Sequence, residues 1–321
     1  MPIRNFSPNL VGALCAMAAA FFFSVNDMAI KFLSGDYALH LVVLIRSTVG
    51  MAICLFLILP FSGGWKVIKT KRLFMHILRG FCVVFANMAF FLGLAAMPLA
   101  EAVAIFFVSP LVITVFSVVF LGEKVGPWRW AAIALGLVGV IVMMRPGSAT
   151  FQMAAILPLL AATSYAFLHI LTRKIGKTES AATMLFYIQL TFIFASAGFG
   201  LVFGSGRFSG SADPSLEFLL RAWSMPAVGD WWILVLIGIG SSVGGYLISQ
   251  AYRLSEAAFA APFEYLAMPL AILWGVMVFD EWPDLYAWAG IALIIGSGLV
   301  LLWREALGKR MLSRRSPRLR R

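Results

Sequence analysis

Ten long apolar stretches, separated by short polar connections, run through this chain of 321 residues. A helix needs about 20 such residues to cross the roughly 30 Å hydrocarbon core of a membrane. Within lipid, a helix also satisfies every backbone N–H and C=O group internally. The sequence therefore predicts an all-α integral membrane protein with ten transmembrane helices, at residues 10–33, 41–61, 74–96, 100–121, 128–145, 153–172, 181–204, 231–252, 257–279 and 285–303.

The composition argues against a soluble enzyme or nucleic-acid-binding protein. Hydrophobic residues make up 62% of the chain and charged residues 12%, whereas a soluble domain has about a quarter charged residues. The three cysteines lie in apolar runs and are expected to be small buried hydrophobic residues. No catalytic cluster, nucleotide-binding motif or metal-ligand spacing is visible. We therefore expect a protein that is not an enzyme, with no cofactor, no metal and no nucleic-acid partner.

The basic residues fall mostly on one side of the predicted spans. With the N-terminus inside, 19 of the 25 Lys and Arg residues lie on the inner side and four on the outer side, while Arg46 and Arg79 lie within spans. Because cytoplasmic loops are rich in Lys and Arg, both termini are expected in the cytoplasm. The first apolar run has no convincing cleavage site and is expected to be retained as a helix.

The end of the first half of the chain is repeated at the end of the second. Glu123 precedes Trp130 by seven residues, and Glu281 precedes Trp288 by seven. From there "WAAIAL" matches "WAGIAL" at an offset of 158 residues. The sequence therefore predicts an internal duplication.

The duplication predicts two halves of opposite orientation. Pro110 pairs with Pro269 once a single gap is allowed. Five spans per half is an odd number, so Glu123 is expected to face the cytoplasm and Glu281 the outside. Inverted repeats of this kind build many secondary transporters. A membrane enzyme, a passive pore and a structural subunit are the alternatives, and none of them needs this pseudo-symmetry.

Six segments resemble a known group of transporters. They are "NDMAIKFL" in the first span, "LIRS" in the second, "HILRG" in the third, "TESAATMLFY" opening the seventh, and the paired "SPLVITVFSVVFLGEKV" and "AMPLAILWGVMVFDEWP". On these residues the chain resembles the drug/metabolite transporter superfamily, specifically ten-helix members with two EamA-type halves. It is similar to a bacterial branch that includes riboflavin and S-adenosylmethionine uptake proteins.

The resemblance covers nearly the whole chain and implies an architecture and a function. It implies inverted five-helix EamA-type repeats at 10–146 and 147–304, between a cytoplasmic N-terminus (1–9) and a basic cytoplasmic tail (305–321). It implies a multi-pass inner-membrane protein that moves a small molecule by alternating access, as a monomer or homodimer. Riboflavin uptake is the first expectation, and S-adenosylmethionine, amino-acid or other metabolite transport or export is the alternative. The cavity is expected between spans one, three, four, six, eight and nine.

Charged residues in the outer half of the first two spans are candidates for this cavity. Asp27 lies about 9 Å and Arg46 about 7.5 Å below the outer helix ends, at 1.5 Å per residue. Lys31 is one turn from Asp27 on the same helix face. We expect Asp27 to pair with Arg46, Lys31 or both, beside the polar Asn26. Because such charges are costly in lipid, they either line a wet cavity or form a structural ion pair.

A second pair of charges lies in the inner half of the bundle. Arg79 and Glu264 are each about seven residues, and therefore ~10 Å, from the inner surface. Glu264 lies between Pro262 and Pro269, where proline frees backbone carbonyls that a cavity can use. Glu264 is therefore expected to line the cavity. Arg79 either lines it as well or extends to the lipid headgroups.

The remaining candidates are uncharged or aromatic. Cavity lining and ordinary helix packing are both open for Asn87, Tyr165, His169, Tyr246 and Tyr265. Three prolines are expected to bend the fourth and ninth spans: Pro110, Pro262 and Pro269. Glu123 and Glu281 lie at span ends and are expected to cap helices or anchor loops.

Overall fold

Ten apolar helices form one bundle in residues 8–145 and 153–297, the part of the chain that the computed structural model describes. They are α1 Pro8–Leu33, α2 Leu39–Phe61, α3 Leu73–Ala96, α4 Leu99–Leu121, α5 Pro127–Met144, α6 Met153–Ile175, α7 Ala181–Phe203, α8 Val228–Leu254, α9 257–279 and α10 Leu285–Ser297. Seven are long and apolar enough to cross a membrane, and the apolar helical parts of α5, α9 and α10 are shorter, at Trp130–Met144, Phe263–Phe279 and Leu285–Ser297. The predicted ten-helix fold is confirmed. The predicted N-terminus, the end of the tenth span and the basic tail lie outside the described residues.

The two halves carry the same turn at opposite ends of the bundle. α4 ends on Gly122 with φ 68°, and α9 ends on Asp280 with φ 54°, both in the left-handed region. The next residue of each turn bonds back into its helix: Glu123 N–H to Ser117 O at 3.1 Å, and Glu281 N–H to Gly275 O at 3.0 Å. Each pair of equivalents is 158 residues apart, so the inverted repeat is confirmed.

The first helix of each half also ends in a shared turn. Tyr37 N–H donates to Leu33 O at 3.1 Å, and Glu179 N–H donates to Ile175 O at 3.0 Å. Equivalent residues of α1 and α6 are therefore 142 apart. We call the end where α1 and α9 finish the Glu281 end. The opposite end, where α6 finishes, is the Glu179 end.

The constant spacing corrects the gap predicted between the two prolines. The helical pieces Ser109–Leu121 and Ala267–Phe279 both have 13 residues and end on the same turn. Pro110 is therefore the second residue of its piece and Pro269 the third, with no gap. Both positions tolerate proline because the first turn of a helix has no intrahelical use for its N–H groups.

α4 and α9 are interrupted near the middle of the bundle. α4 breaks between Leu99–Phe106 and Ser109–Leu121. α9 runs as a 3-10 helix over Ala261–Leu266, between short and long α-helical pieces. Each break directly precedes a proline-containing turn, where proline lacks an N–H and clashes with the carbonyl four residues earlier. Irregular backbone at this depth is tolerated where it is buried in protein or lines a cavity.

The long connection between α7 and α8 contains a short helix, at Pro214–Leu220. Asp213 caps it by accepting the Leu216 N–H at 2.9 Å. Ser215 donates to Leu92 O at 2.7 Å, and Phe218 is fully buried. The helix therefore packs on the end of α3.

Replacing Gly139 by valine is expected to lower thermal stability, because α5 and α10 cross there with no room for a side chain. A Cβ at Gly139 would lie 2.9 Å from Gly290 O, and one at Gly290 would lie 2.8 Å from Gly139 O. Overpacking costs about 1–3 kcal/mol, which predicts a midpoint lower by roughly 3–8 °C in detergent. Gly198→Ala in α7, which has open space around it, is the control. Equal shifts in both variants would contradict the close crossing.

Candidate functional site

A cavity of about 130 Å³ lies in the middle of the bundle, next to the breaks in α4 and α9. One buried water needs about 10–15 Å³ of such volume, so the cavity holds on the order of ten waters. Side chains from the six predicted helices line it. The structure adds α2, which contributes Arg46, and α7, which contributes Leu185, Ile188, Gln189 and Phe192.

The lining is built from equivalent positions of the two halves that carry different chemistry. The equivalent pairs on the cavity wall include Asp27 with His169, Asn87 with Gly245, and Phe106 with Glu264. The backbone is therefore pseudo-symmetric around the cavity while its charges are not. A cargo bound there meets a different polar group from each half.

Arg46 lies deep in the bundle and faces the cavity. Its side chain is 3% exposed, and its Nη2 donates to Asn87 Oδ1 at 3.0 Å. The guanidinium carbon lies 5.0 Å from the Phe192 ring centre and 5.5 Å from that of Phe91. Its Nε is buried without a hydrogen-bond partner. Arg46 therefore presents an unused donor beside aromatic faces.

Asn26 and Asp27 supply acceptors on the α1 side of the cavity. Asn26 Nδ2 donates to Asp27 Oδ1 at 3.4 Å, and Asn26 Oδ1 is buried without a partner. Among the described residues, no cation lies within 4 Å of the Asp27 carboxylate. Asp27 is therefore not within ion-pair distance of Lys31 or Arg46, and the predicted pairing is wrong.

Lys31 lies outside the cavity because it is bound at the Glu281 end. Its Nζ donates to Glu281 Oε1 at 2.6 Å and to Met97 O at 2.7 Å, and it lies 5.1 Å from the Phe279 ring centre. Glu281 Oε2 accepts the Leu99 N–H at 2.8 Å. Leu99 is the first residue of α4, so Glu281 caps α4 from the other half of the chain.

Glu264 lies in the 3-10 segment of α9 and is held by two tyrosines. Tyr165 donates to its Oε2 at 2.7 Å, and Tyr252 donates to its Oε1. The His169 ring stacks on Tyr252 with centres 3.9 Å apart and meets Tyr165 edge-on at 4.1 Å. Both His169 nitrogens are buried without a hydrogen-bond partner. Except for Tyr252, these residues line the cavity.

Arg79 also faces the cavity instead of the headgroups. It is 1% exposed, so extension to the lipid surface is contradicted. Its Nε donates to Thr172 Oγ1 at 3.0 Å, and its Nη1 is buried without a partner. Within the described part of the chain, no carboxylate lies at ion-pair distance from Arg79 or Arg46.

Two predicted aromatic candidates lie off the cavity wall. Tyr246 accepts a hydrogen bond from Gln250 at 3.2 Å on α8. Tyr265 packs against Phe107 with ring centres 5.5 Å apart. Sequence reasoning missed Tyr252 and Thr172, which hold Glu264 and Arg79. No motif marks either residue, although Thr172 lies one turn after His169 in α6.

Polar groups at the ends of the spans tie the two halves together. Tyr37 donates to Asp230 at 2.5 Å, which raises the pKa of Tyr37 above its usual value. Arg145 donates to Asp284, and this bond holds the pKa of that carboxyl below its usual value. Among the described residues, no group of three or more His, Cys, Asp or Glu side chains suits a metal ion.

Known proteins match this chain over most of its length. Its residues 10–145 and 152–303 match the model of the EamA-like transporter family. A riboflavin transporter of Vibrio cholerae is 27% identical over 94% of this chain and 96% of that protein. An S-adenosylmethionine uptake transporter of Rickettsia bellii is 28% identical over 77% and 79%, and a pseudopaline exporter of Pseudomonas aeruginosa is 24% identical over 90% and 95%.

The same fold occurs among solved structures. A crystal structure that is 19% identical superposes with a TM-score of 0.70 over 94% of this chain and 98% of that one. The ten apolar helices and the internal pseudo-symmetry agree with this match and with the family model, which covers both halves. The chain therefore belongs to the EamA-like transporter family of the drug/metabolite transporter superfamily, and it is a multi-pass membrane transporter.

Proposed function

We propose that this transporter takes up riboflavin, or a closely related planar heterocycle, by alternating access around the central cavity. The observation that carries the proposal is a wall that combines aromatic rings with unused hydrogen-bond donors and acceptors. Two similar proteins, from Vibrio cholerae and Rhizobium johnstonii, are named riboflavin transporters.

Aromatic side chains form an apolar slot along the cavity. Phe90 and Phe106 have ring centres 4.9 Å apart, and Phe106 and Tyr165 have centres 5.1 Å apart. Phe192, beneath Arg46, lines the same space. A flat ring system gains both apolar burial and stacking in such a slot.

The polar groups at the α1–α3 side match a ring edge that alternates acceptors and donors. Arg46 Nε is an unused donor, and Asn87 uses its oxygen for Arg46 and keeps its amide N–H groups available. Asn26 Oδ1 and the Asp27 carboxylate are acceptors beside them. The flavin ring has an N–H flanked by two carbonyls, which is the complement of donor, acceptor and donor groups.

S-adenosylmethionine is the second candidate, and one observation favours it. The Asp27 carboxylate borders the cavity without a cation at ion-pair distance among the described residues. A cationic cargo would supply that missing charge, whereas a neutral flavin needs Asp27 only as an acceptor. The two cargoes therefore differ in what they require of one residue.

Asp27→Asn is expected to separate the two candidates. If riboflavin is the cargo, the amide oxygen still accepts a hydrogen bond, and uptake should fall by roughly threefold to tenfold. If a sulfonium cation is the cargo, loss of the charge partner should reduce uptake by about 100-fold or more. The measurement is uptake of radiolabelled riboflavin and S-adenosylmethionine into proteoliposomes, with and without a proton gradient. No saturable uptake of riboflavin by the wild type would overturn the first proposal.

The topology of the transporter is also proposed. We place both termini and the Glu179 end in the cytoplasm of a cell with an inner membrane, because 19 of 25 basic residues then lie inside. The repeat boundaries at 10–146 and 147–304, the terminal segments 1–9 and 305–321, and a monomer or homodimer belong to the same proposal. Cysteine labelling of the termini in sealed vesicles tests the orientation.

A further inference from the structure

Lys31 and Glu281 join three elements at the Glu281 end. Lys31 is in the last turn of α1, Glu281 follows α9, and Met97 and Leu99 connect α3 to α4. Glu281 accepts from Lys31 Nζ at 2.6 Å and from the Leu99 N–H at 2.8 Å. Lys31 also donates to Met97 O at 2.7 Å. We call these four residues the first latch.

The inverted repeat places an equivalent set at the Glu179 end. The offsets of 142 and 158 residues assign Arg173 to Lys31, Glu123 to Glu281, Ser255 to Met97, and Ala257 to Leu99. The backbone supports the last two assignments, because Pro98 has φ −56° and ψ 140° and Glu256 has φ −58° and ψ 140°. We call Arg173, Glu123, Ser255 and Ala257 the second latch.

The second latch has the same chemistry as the first but is not joined. Glu123 Oε2 and the Ser255 hydroxyl are buried without a hydrogen-bond partner. Arg173 donates to Arg253 O at 3.3 Å. Within residues 8–145 and 153–297, Arg173 is not at ion-pair distance from Glu123, and no acceptor is found for the Ala257 N–H.

Contacts between the halves outside the latches also occur at both ends. At the Glu281 end, Tyr37 bonds Asp230 at 2.5 Å and accepts the Ala227 N–H at 2.9 Å. At the Glu179 end, Glu179, the equivalent of Tyr37, accepts from Thr70 at 2.8 Å. These bonds tie the first loop of one half to a connection of the other half at each end. The latches differ between the two ends, as does the Arg145–Asp284 pair, which belongs to the Glu281 end.

We propose that the two latches are alternatives, each of which holds one end of the bundle closed. The first latch is formed in this conformation, so the Glu281 end is closed. When the Glu179 end closes, Glu123 pairs with Arg173 and accepts the Ala257 N–H, while the first latch opens. A helix N-terminus favours a carboxylate acceptor, and each basic residue balances its charge. The inference rests on the proposed alternating access and adds the residues that stabilise each state.

Thiol cross-linking beside the latches tests whether they exclude each other. In a variant with Cys15, Cys54 and Cys82 replaced by alanine, one pair is Phe32→Cys with Trp282→Cys. The matched pair is Lys174→Cys with Lys124→Cys, at the equivalent positions. All four sites are exposed and adjacent to latch residues, so the latch charges stay in place.

A short bifunctional thiol reagent should link each pair when it is present alone. In the protein with all four cysteines, linking the first pair should reduce the cross-linking yield of the second pair by about tenfold. Both links in one molecule, or no link of the second pair under any condition, would overturn the proposal. Phe32→Cys with Lys124→Cys is the mismatched control, because about 30 Å of membrane separates the two sites.

A second measurement changes the latch charges directly. A single Ser241→Cys, on the cavity wall, reports access through its labelling by an impermeant maleimide from each side of sealed vesicles. Glu281→Gln should raise the labelling rate from the Glu281 side about tenfold, and Glu123→Gln should lower it. Equal effects of the two substitutions would refute alternation. Neither measurement uses a cargo, so failure of riboflavin uptake and failure of the latches are distinguishable.

Discussion

Glu264→Leu is expected to destabilise the protein by about 2–6 kcal/mol, because it leaves two buried hydroxyls without an acceptor at about 1–3 kcal/mol each. Tyr165 and Tyr252 both donate to the Glu264 carboxylate, and they come from α6 and α8. The carboxylate therefore joins three helices at the break in α9. Denaturant unfolding of the purified protein in detergent measures the loss.

The triple variant Glu264→Leu, Tyr165→Phe, Tyr252→Phe separates stability from transport. Removing both partners of a buried hydrogen bond is far less costly than removing one, so most of the lost stability should return. Riboflavin uptake should stay at least tenfold below wild type, because the polar group on the cavity wall is gone. A triple variant no more stable than Glu264→Leu would mean that the tyrosines are not what Glu264 satisfies. Normal uptake by the triple variant would remove Glu264 from the pathway.

The positions of the helices follow from the sequence because hydropathy is a local property. The first nine predicted spans begin and end within three residues of the described helices, and the repeated "WAAIAL" and "WAGIAL" reveal the inversion. The partner of Lys31 could not be found in the same way. Asp27, one turn away, was the natural guess, whereas the actual partner Glu281 is 250 residues distant. Only the meeting of α1, α4 and the α9–α10 turn brings it close.

The rotation of each helix about its axis was also beyond the sequence. A helix that is apolar all round has no polar stripe to show which face meets the cavity. Tyr246 and Tyr252 lie on the same helix and differ by six residues, yet Tyr252 bonds Glu264 and Tyr246 bonds Gln250. Charged residues were better guides, since four of the five charged candidates line the cavity (Asp27, Arg46, Arg79 and Glu264) and only Lys31 does not. A charged side chain marks the cavity-facing side of its helix because turning the charge toward lipid is too costly.

Arg46→Leu is expected to make the protein equally or more stable while lowering riboflavin uptake about tenfold to 100-fold. Arg46 is 3% exposed, and no carboxylate lies within 4 Å of it among the described residues. Burying a charge without a close partner is unfavourable, and even whole buried ion pairs can often be replaced by apolar residues with a neutral or stabilising effect of about 1–4 kcal/mol. The rings of Phe91 and Phe192 beside the guanidinium offer leucine an apolar surface to pack against.

Transport should respond in the opposite direction because Nε of the guanidinium is a donor that the fold itself does not use. A charge-assisted hydrogen bond to a cargo carbonyl is worth about 1.5–3 kcal/mol, so uptake at low riboflavin concentration should fall about tenfold to 100-fold. Arg46→Lys keeps the charge but loses the planar fork. Its riboflavin uptake should therefore fall less than that of Arg46→Leu, and its stability should not rise. Thermal unfolding and proteoliposome uptake of the same preparations provide the comparison. If Arg46→Leu lowers stability and Arg46→Leu with Asp27→Asn restores it, the two charges stabilise each other across the cavity, and Arg46 is structural.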